Sequence, residues 1–265
     1  MVSVAPLLAS PHGARSDIDE PDESLLVTED DTPLDGILTE KQERLLSEPV
    51  YTSWSGPPPG DDGAPRPFAV LANVGLFSTP AEQPVVPDVM LSLDVTIPPE
   101  LEEKKNQSYF LWRYGKPPEV VIEIVSNKKG GELGARRARY ARMRVEFYVV
   151  YDPLLLLGDV PLCAFELRGR SYVALARPWF ESVGLGLVEW QGTFEGIHRP
   201  WLRWCTRDGK AVPTGAERAD MAETRADMAE TRAHQEQTRA DTAEARAQRM
   251  AARLRELGID PDGDP

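Results

Sequence analysis

Residues 119–151 constrain the fold more than any other stretch. "EVVIEIVS" (119–126) is a strand-length run rich in β-branched residues. "GELGARRARYARM" (131–143) has helical spacing, with Leu133, Tyr140 and Met143 as candidates for its buried side. "VEFYVVYDP" (145–153) is a second strand closed by Asp-Pro. Strand, helix and strand in so short a span predict a β-α-β unit, whose two strands run parallel. "LCAFELRGRSYVALA" (162–176) reads as a hairpin turning at Gly169-Arg170. Hairpins flanking a β-α-β unit give a mixed sheet with helices packed on it, an α/β fold.

Within the first of these strands sits Glu123, between Ile122 and Ile124. Side chains alternate along a strand, so Glu123 shares a face with Val121 and Val125, while Val120, Ile122 and Ile124 take the other. One face can be core and the other the floor of a cleft. A buried carboxylate needs a cation or hydrogen-bond donors. A second acid, Asp88, follows Pro87 at the start of another alternating stretch, "VVPDVMLSLDV" (85–95), in which Val89, Leu91, Leu93 and Val95 face one way. Two acids on neighbouring strands can hold one Mg²⁺ or Mn²⁺, with the backbone carbonyl of Ile124 as a further ligand. Lys128, Lys129, Arg136 and Arg137 follow closely. Such a set suits phosphodiester hydrolysis: the metal activates water, and a neighbouring cation meets the developing charge. Blander readings stand beside this one. A strand glutamate can be ion-paired to an arginine, Pro-Asp commonly opens turns, and the basic residues can line a solvated helix face or turn.

Composition narrows the function classes. A net charge of −13 argues against a plain nucleic-acid-binding surface, but the charge is unevenly placed. Residues 1–62 hold 14 acids and 3 bases, whereas residues 100–150 hold 11 bases and 7 acids. Glu123 therefore works in a locally basic setting. Residues 1–35 are acidic, Pro-punctuated and poor in aromatics, the composition of a disordered tail. "TEKQERLLSE" predicts a short helix with Thr39 as N-cap. The three histidines lie in unrelated contexts, and Cys163 and Cys205 show no metal or redox spacing. No stretch approaches the ~20 apolar residues of a membrane span, and the first residues lack a basic signal-peptide region. A cytoplasmic protein without a membrane partner is the expectation.

From Ala219 the chain repeats every seven residues: "ADMAETR", "ADMAETR", "AHQEQTR", "ADTAEAR", "AQRMAAR". Alanine dominates positions a and d, with Glu236, Met250, Leu254 and Leu257 interrupting or ending the series. The pattern predicts a long helix over 213–258, closed by Gly258 and Pro261, with 217–257 a homo-oligomeric coiled coil. The alternative is a solvated single helix held by surface charge pairs. The domain reading is thus a tail over 1–35, a core over 36–212, the heptad helix over 213–258 and a disordered end over 259–265.

"PDVMLSLDV" and "PPEVVIEIVSNKKGGELGARRARYARMRVEFYVVYDP" resemble the Uma-type restriction endonuclease family of the PD-(D/E)xK nuclease superfamily. The resemblance covers about residues 39–205. It implies a restriction-endonuclease-like fold, a divalent metal and DNA as substrate. Asp88 matches the family's metal-binding Asp and Glu123 its strand Glu. The superfamily's usual lysine, two residues after that Glu, is replaced here by Val125. In the Uma-type pattern the basic residue lies on the following helix, four residues before the Tyr, which is Arg136. Relatives often carry lysine there; arginine keeps the charge but cannot shuttle a proton, and Lys128 is the alternative cation. The function implied is a metal-dependent DNA endonuclease. The alternative is a catalytically weak or inert module that associates with protein partners through its helical tail.

Overall fold

The β-branched and aromatic runs form the strands of a central sheet in the computed structural model, which describes residues 36–60, 63–127 and 131–257. The expected tail over 1–35, Lys128, and the helix-ending Gly258 and Pro261 lie outside the described residues. The elements in order are α1 (Ile37–Ser53), β1 (Phe68–Ala72), β2 (Leu76–Phe77), β3 (Val89–Leu93), β4 (Tyr109–Phe110), α2 (Leu111–Tyr114) and β5 (Val120–Ile124). Then come α3 (Arg137–Met143), β6 (Phe147–Tyr151), β7 (Leu162–Arg168), β8 (Ser171–Ala174), β9 (Trp179–Phe180), β10 (Leu185–Phe194), β11 (Ile197–Cys205) and α4 (Gly215–Glu256). The fold is mixed α/β, as the sequence predicts.

The central sheet has the order β1-β3-β5-β6-β7-β8. β5 and β6 are parallel, joined by α3, so the β-α-β unit forms as expected; every other neighbouring pair is antiparallel. The predicted β7–β8 hairpin turns at Gly169, whose φ of 64° favours a residue without a side chain. A second sheet, β11-β10-β9, is built on a long hairpin closed by Glu195 and Gly196, both at positive φ. β2 and β4 pair separately.

Strand alternation divides the interior in two. Val89, Leu91, Val120, Ile122, Ile124 and Val149 face one apolar cluster with Leu46 and Val50 of α1 and Leu202 and Trp204 of the second sheet. Met90, Val121, Val125, Tyr148 and Val150 face the other, with Tyr140 and Met143 of α3. The alternation read for β3 and β5 therefore holds. The face bearing Glu123 is not an open cleft floor, however; α3 roofs it.

The helices differ from expectation in detail. α1 has 17 residues and starts after Gly36, so Thr39 lies inside the helix and caps nothing. Ahead of α3, Glu132–Arg136 forms a turn of π-helix, with the Arg136 N–H reaching the Gly131 carbonyl at 3.0 Å. That wider turn leaves Leu133 exposed rather than buried. α4 runs for 42 residues with no buried side chain. Among the described residues, no helix is long and apolar enough to cross a membrane.

Candidate active site

Asp88 and Glu123 meet because of strand register. β3 and β5 pair Val89 with Ile122 and Met90 with Val121. Extending that register by one residue sets Asp88 across from Glu123, and by alternation both side chains project on the α3 side. The Asp88 carboxylate accepts the Ile124 N–H through Oδ2. Successive residues turn their N–H and C=O to opposite edges of a strand. The Val125 N–H bonds Tyr151 O on β6, so Ile124 presents its N–H and carbonyl toward β3 and Asp88. The two candidate carboxylates and the Ile124 backbone thus converge at one end of the central strands.

Glu123 is almost wholly buried, at 1% exposure. Its Oε1 accepts a 2.6 Å hydrogen bond from the Tyr140 hydroxyl, and its Oε2 is ion-paired with the Arg136 guanidinium. Arg136 and Tyr140 are four residues apart on one helical face, so one helix supplies both donors. Arg136 spans from this buried carboxylate to the surface, with 38% of its side chain exposed. Asp88 is half-buried.

Burial pushes the Glu123 carboxyl up to about 8, and the neighbouring Asp88 charge pushes the same way; Arg136 and Tyr140 pull against them without prevailing. For Arg136 burial works against the charge, but Glu123, Tyr140, Asp88 and Glu132 outweigh it and the guanidinium is raised. Burial first, and then the Glu123 charge, hold the Tyr140 hydroxyl well above its ordinary range, so it stays a donor. The centre therefore sets one cation against two acids, and burial together with the Asp88 charge raises Glu123 against the pull of that cation.

Of the residues expected at a site, Asp88, Glu123, Ile124 and Arg136 come together, while Lys128 falls outside the described residues. Val125 is buried in the apolar cluster below α3, which leaves the helix to supply the cation. Asp94 turns away to pair with Arg66, and Trp201 and Trp204 are core. Two participants were not given a role from sequence. Tyr140 marked the pattern without being assigned the Glu123 hydrogen bond. Glu132 is buried beside the site, and its backbone carbonyl accepts from the Tyr148 hydroxyl at 2.9 Å. The spacing of four between Arg136 and Tyr140 was the available signal for the first; burial of Glu132 depends on the π turn and left none.

Beside the site, the outer face of α3 and the β7–β8 turn line a cavity of about 630 Å³. Arg137, Arg142, Arg144 and Arg170 contribute to its wall. The local excess of basic residues is thus gathered on the helix that carries Arg136.

A mixed sheet with a helix-bridged parallel pair, and two acids opposed at the ends of adjacent strands under a helix arginine, define an α/β protein with a paired-carboxylate centre. Residues 54–172 match the model of the Uma2 family, described as "Putative restriction endonuclease". The match takes in Asp88, Glu123, Arg136 and Tyr140 and bears out the resemblance read from sequence, pointing to a function of nuclease type. No curated protein matches the chain.

Proposed function

We propose that the chain is a metal-dependent DNA endonuclease, with a catalytic domain over 36–212 and a heptad helix over 213–258. The opposition of Asp88 and Glu123 across β3 and β5 carries this reading. The donor set suits a hard divalent ion. Among the described residues no three His, Cys, Asp or Glu side chains cluster as a metal cage. Two carboxylates completed by the Ile124 carbonyl and water are what Mg²⁺ or Mn²⁺ takes, whereas structural zinc asks for four His or Cys ligands. A bound divalent cation would lower the pKa of its water and neutralise charge building on the phosphate.

The chain's own residues do the rest. Asp88, fixed by the Ile124 N–H, stays oriented toward Glu123. Glu123 would hold such an ion in its ionised form, so binding would lower its raised pKa. Arg136, now paired with Glu123, is long and part-exposed enough to turn to a phosphate oxygen, where a guanidinium binds in a two-pronged fashion. Tyr140 holds Glu123 in its rotamer throughout. The arginines lining the α3 cavity support the approach of a DNA backbone despite the acidic total charge. Unpaired Cys163 and Cys205 fit a reducing, cytoplasmic setting.

The second reading, an inert module acting through protein association, is favoured by one observation: Arg136 already occupies Oε2 of Glu123, and arginine cannot serve as a proton-shuttling base. Two experiments separate the readings. Calorimetric titration with Mg²⁺ and Mn²⁺ should show binding to the wild type and none to Glu123→Ala. Incubation of supercoiled plasmid and linear duplex with each protein should give cleavage by the wild type only, and only with divalent ion. Absence of metal binding and of cleavage in the wild type overturns the endonuclease reading.

A further inference from the structure

α4 is fixed at its base and uncovered along its length. Thr214 caps it through a reciprocal box with Glu217. Glu217 also takes Arg203 at 2.9 Å, and the Gly215 N–H bonds Glu48 of α1 at 3.0 Å. Beyond this first turn every residue from Arg218 to Met250 is exposed. At ~1.5 Å per residue the helix projects on the order of 60 Å.

The charges along it are not placed to stabilise a lone helix. Glu223, Glu230 and Glu244 occupy heptad position e, and Arg218, Arg225, Arg232, Arg239 and Arg246 occupy g. None of the three glutamates has a Lys or Arg three or four residues away on its own helix. Glu223 instead has Asp220 and Asp227 at those spacings, and Glu244 has Asp241, which is repulsive in a single helix. Among the described residues, the one ion pair internal to α4 is Arg253–Glu256, at the far end.

From this charge pattern we infer that α4 pairs with α4 of a second copy of this chain, parallel and in register. In a parallel pair, position g of one helix faces position e of the next heptad on the other. Arg218 then meets Glu223, Arg225 meets Glu230 and Arg239 meets Glu244, with Arg232 facing Gln237, on both sides of the seam. Antiparallel pairing would instead set g against g and e against e, arginine on arginine and glutamate on glutamate. The alanine seam contributes close approach and little burial, so orientation rests on the charges. Glu236, at d, opposes its own copy, but Arg232 and Arg239 flank it four residues before and three after. It weakens the pair without changing its direction. Parallel pairing brings both catalytic units, each with its Asp88–Glu123 centre, to the same end of the rod. That last consequence rests on the endonuclease reading; the pairing does not.

The test uses the full chain and two single variants on the seam, Ala222→Cys at position d and Leu254→Cys at position a, since a meets d across an antiparallel pair. Sedimentation equilibrium should give a dimer. Under mild oxidation each variant alone should form a disulfide-linked dimer, well above the wild type, whose Cys163 and Cys205 set the background. A monomer at every concentration, or cross-linking only when the two variants are mixed, overturns the inference, the second outcome meaning antiparallel pairing. Circular dichroism checks that both variants keep the helix. Metal titration of the same samples keeps the two ideas apart. Cross-links without metal binding sink the nuclease reading alone, and metal binding without cross-links sinks the pairing alone.

Discussion

Glu123 holds a proton in the folded chain at pH values where an unfolded carboxyl has lost it. Burial and then Asp88 raise it to about 8 from an ordinary value of 4.5. Below about pH 4.5 both states are protonated and its stabilising contribution is full; as pH rises through about 8 the folded carboxyl must ionise in its buried site and the contribution is lost. Glu123→Gln has no such proton. Its melting temperature should therefore gain a few degrees on the wild type between about pH 5 and about pH 9, measured by thermal melts across that range. Asp88→Asn keeps an acceptor for the Ile124 N–H but removes the charge. It should lower the Glu123 pKa and reduce divalent-ion affinity by about 100-fold, read by calorimetry. Arg136→Ala leaves Glu123 without its cation. Because the guanidinium is part-exposed, a destabilisation of about 1–2 kcal/mol is expected in denaturant titration, less than for a wholly buried pair. Arg136→Lys should recover most of it. Asp88 and Glu123 were both legible in the sequence, because a carboxylate amid β-branched residues is costly enough to need a reason. What the sequence could not give was the protonation state, which depends on α3 covering the face.

Elements of strong period were legible and their edges were not. β5, α3 and β6 follow directly from runs of β-branched residues and helical spacing. Leu133 was misplaced because the π turn adds a residue before α3 and rotates that side chain to the surface. α1 was read only in its middle, since its ends carry no capping side chain to mark them. The β10–β11 hairpin turns at Glu195-Gly196, and glutamate is an unusual first residue for a turn with both φ values positive. Lys41 and Arg44 of α1 hold that glutamate by ion pairs, a stabilisation that no local pattern displays. At α4 the reciprocal box of Thr214 and Glu217 satisfies the backbone N–H of each of these two residues. Thr214→Ala should lower stability by about 1 kcal/mol, measured by denaturant titration.

At the scale of the whole molecule, the sheet unit and the projecting helix make different demands on experiment. A chain ending after Arg218 keeps the Arg203–Glu217 pair and the whole central sheet, so it should fold and bind divalent ion like the full chain. With the heptads gone it should be monomeric by sedimentation and should nick supercoiled plasmid where the full chain linearises it, read on an agarose gel. The sequence by itself determined the α/β class, the parallel β5–β6 pair, the two acids and the long helix. Each is written in local periodicity or in a residue type that is costly in its setting. Tertiary structure alone decided that Asp88 stands across from Glu123, and that Arg136 and Tyr140 close over the glutamate. Those contacts join residues 13 to 36 positions apart. They exist only once strand register and the π turn have fixed which side chains share the space beneath α3.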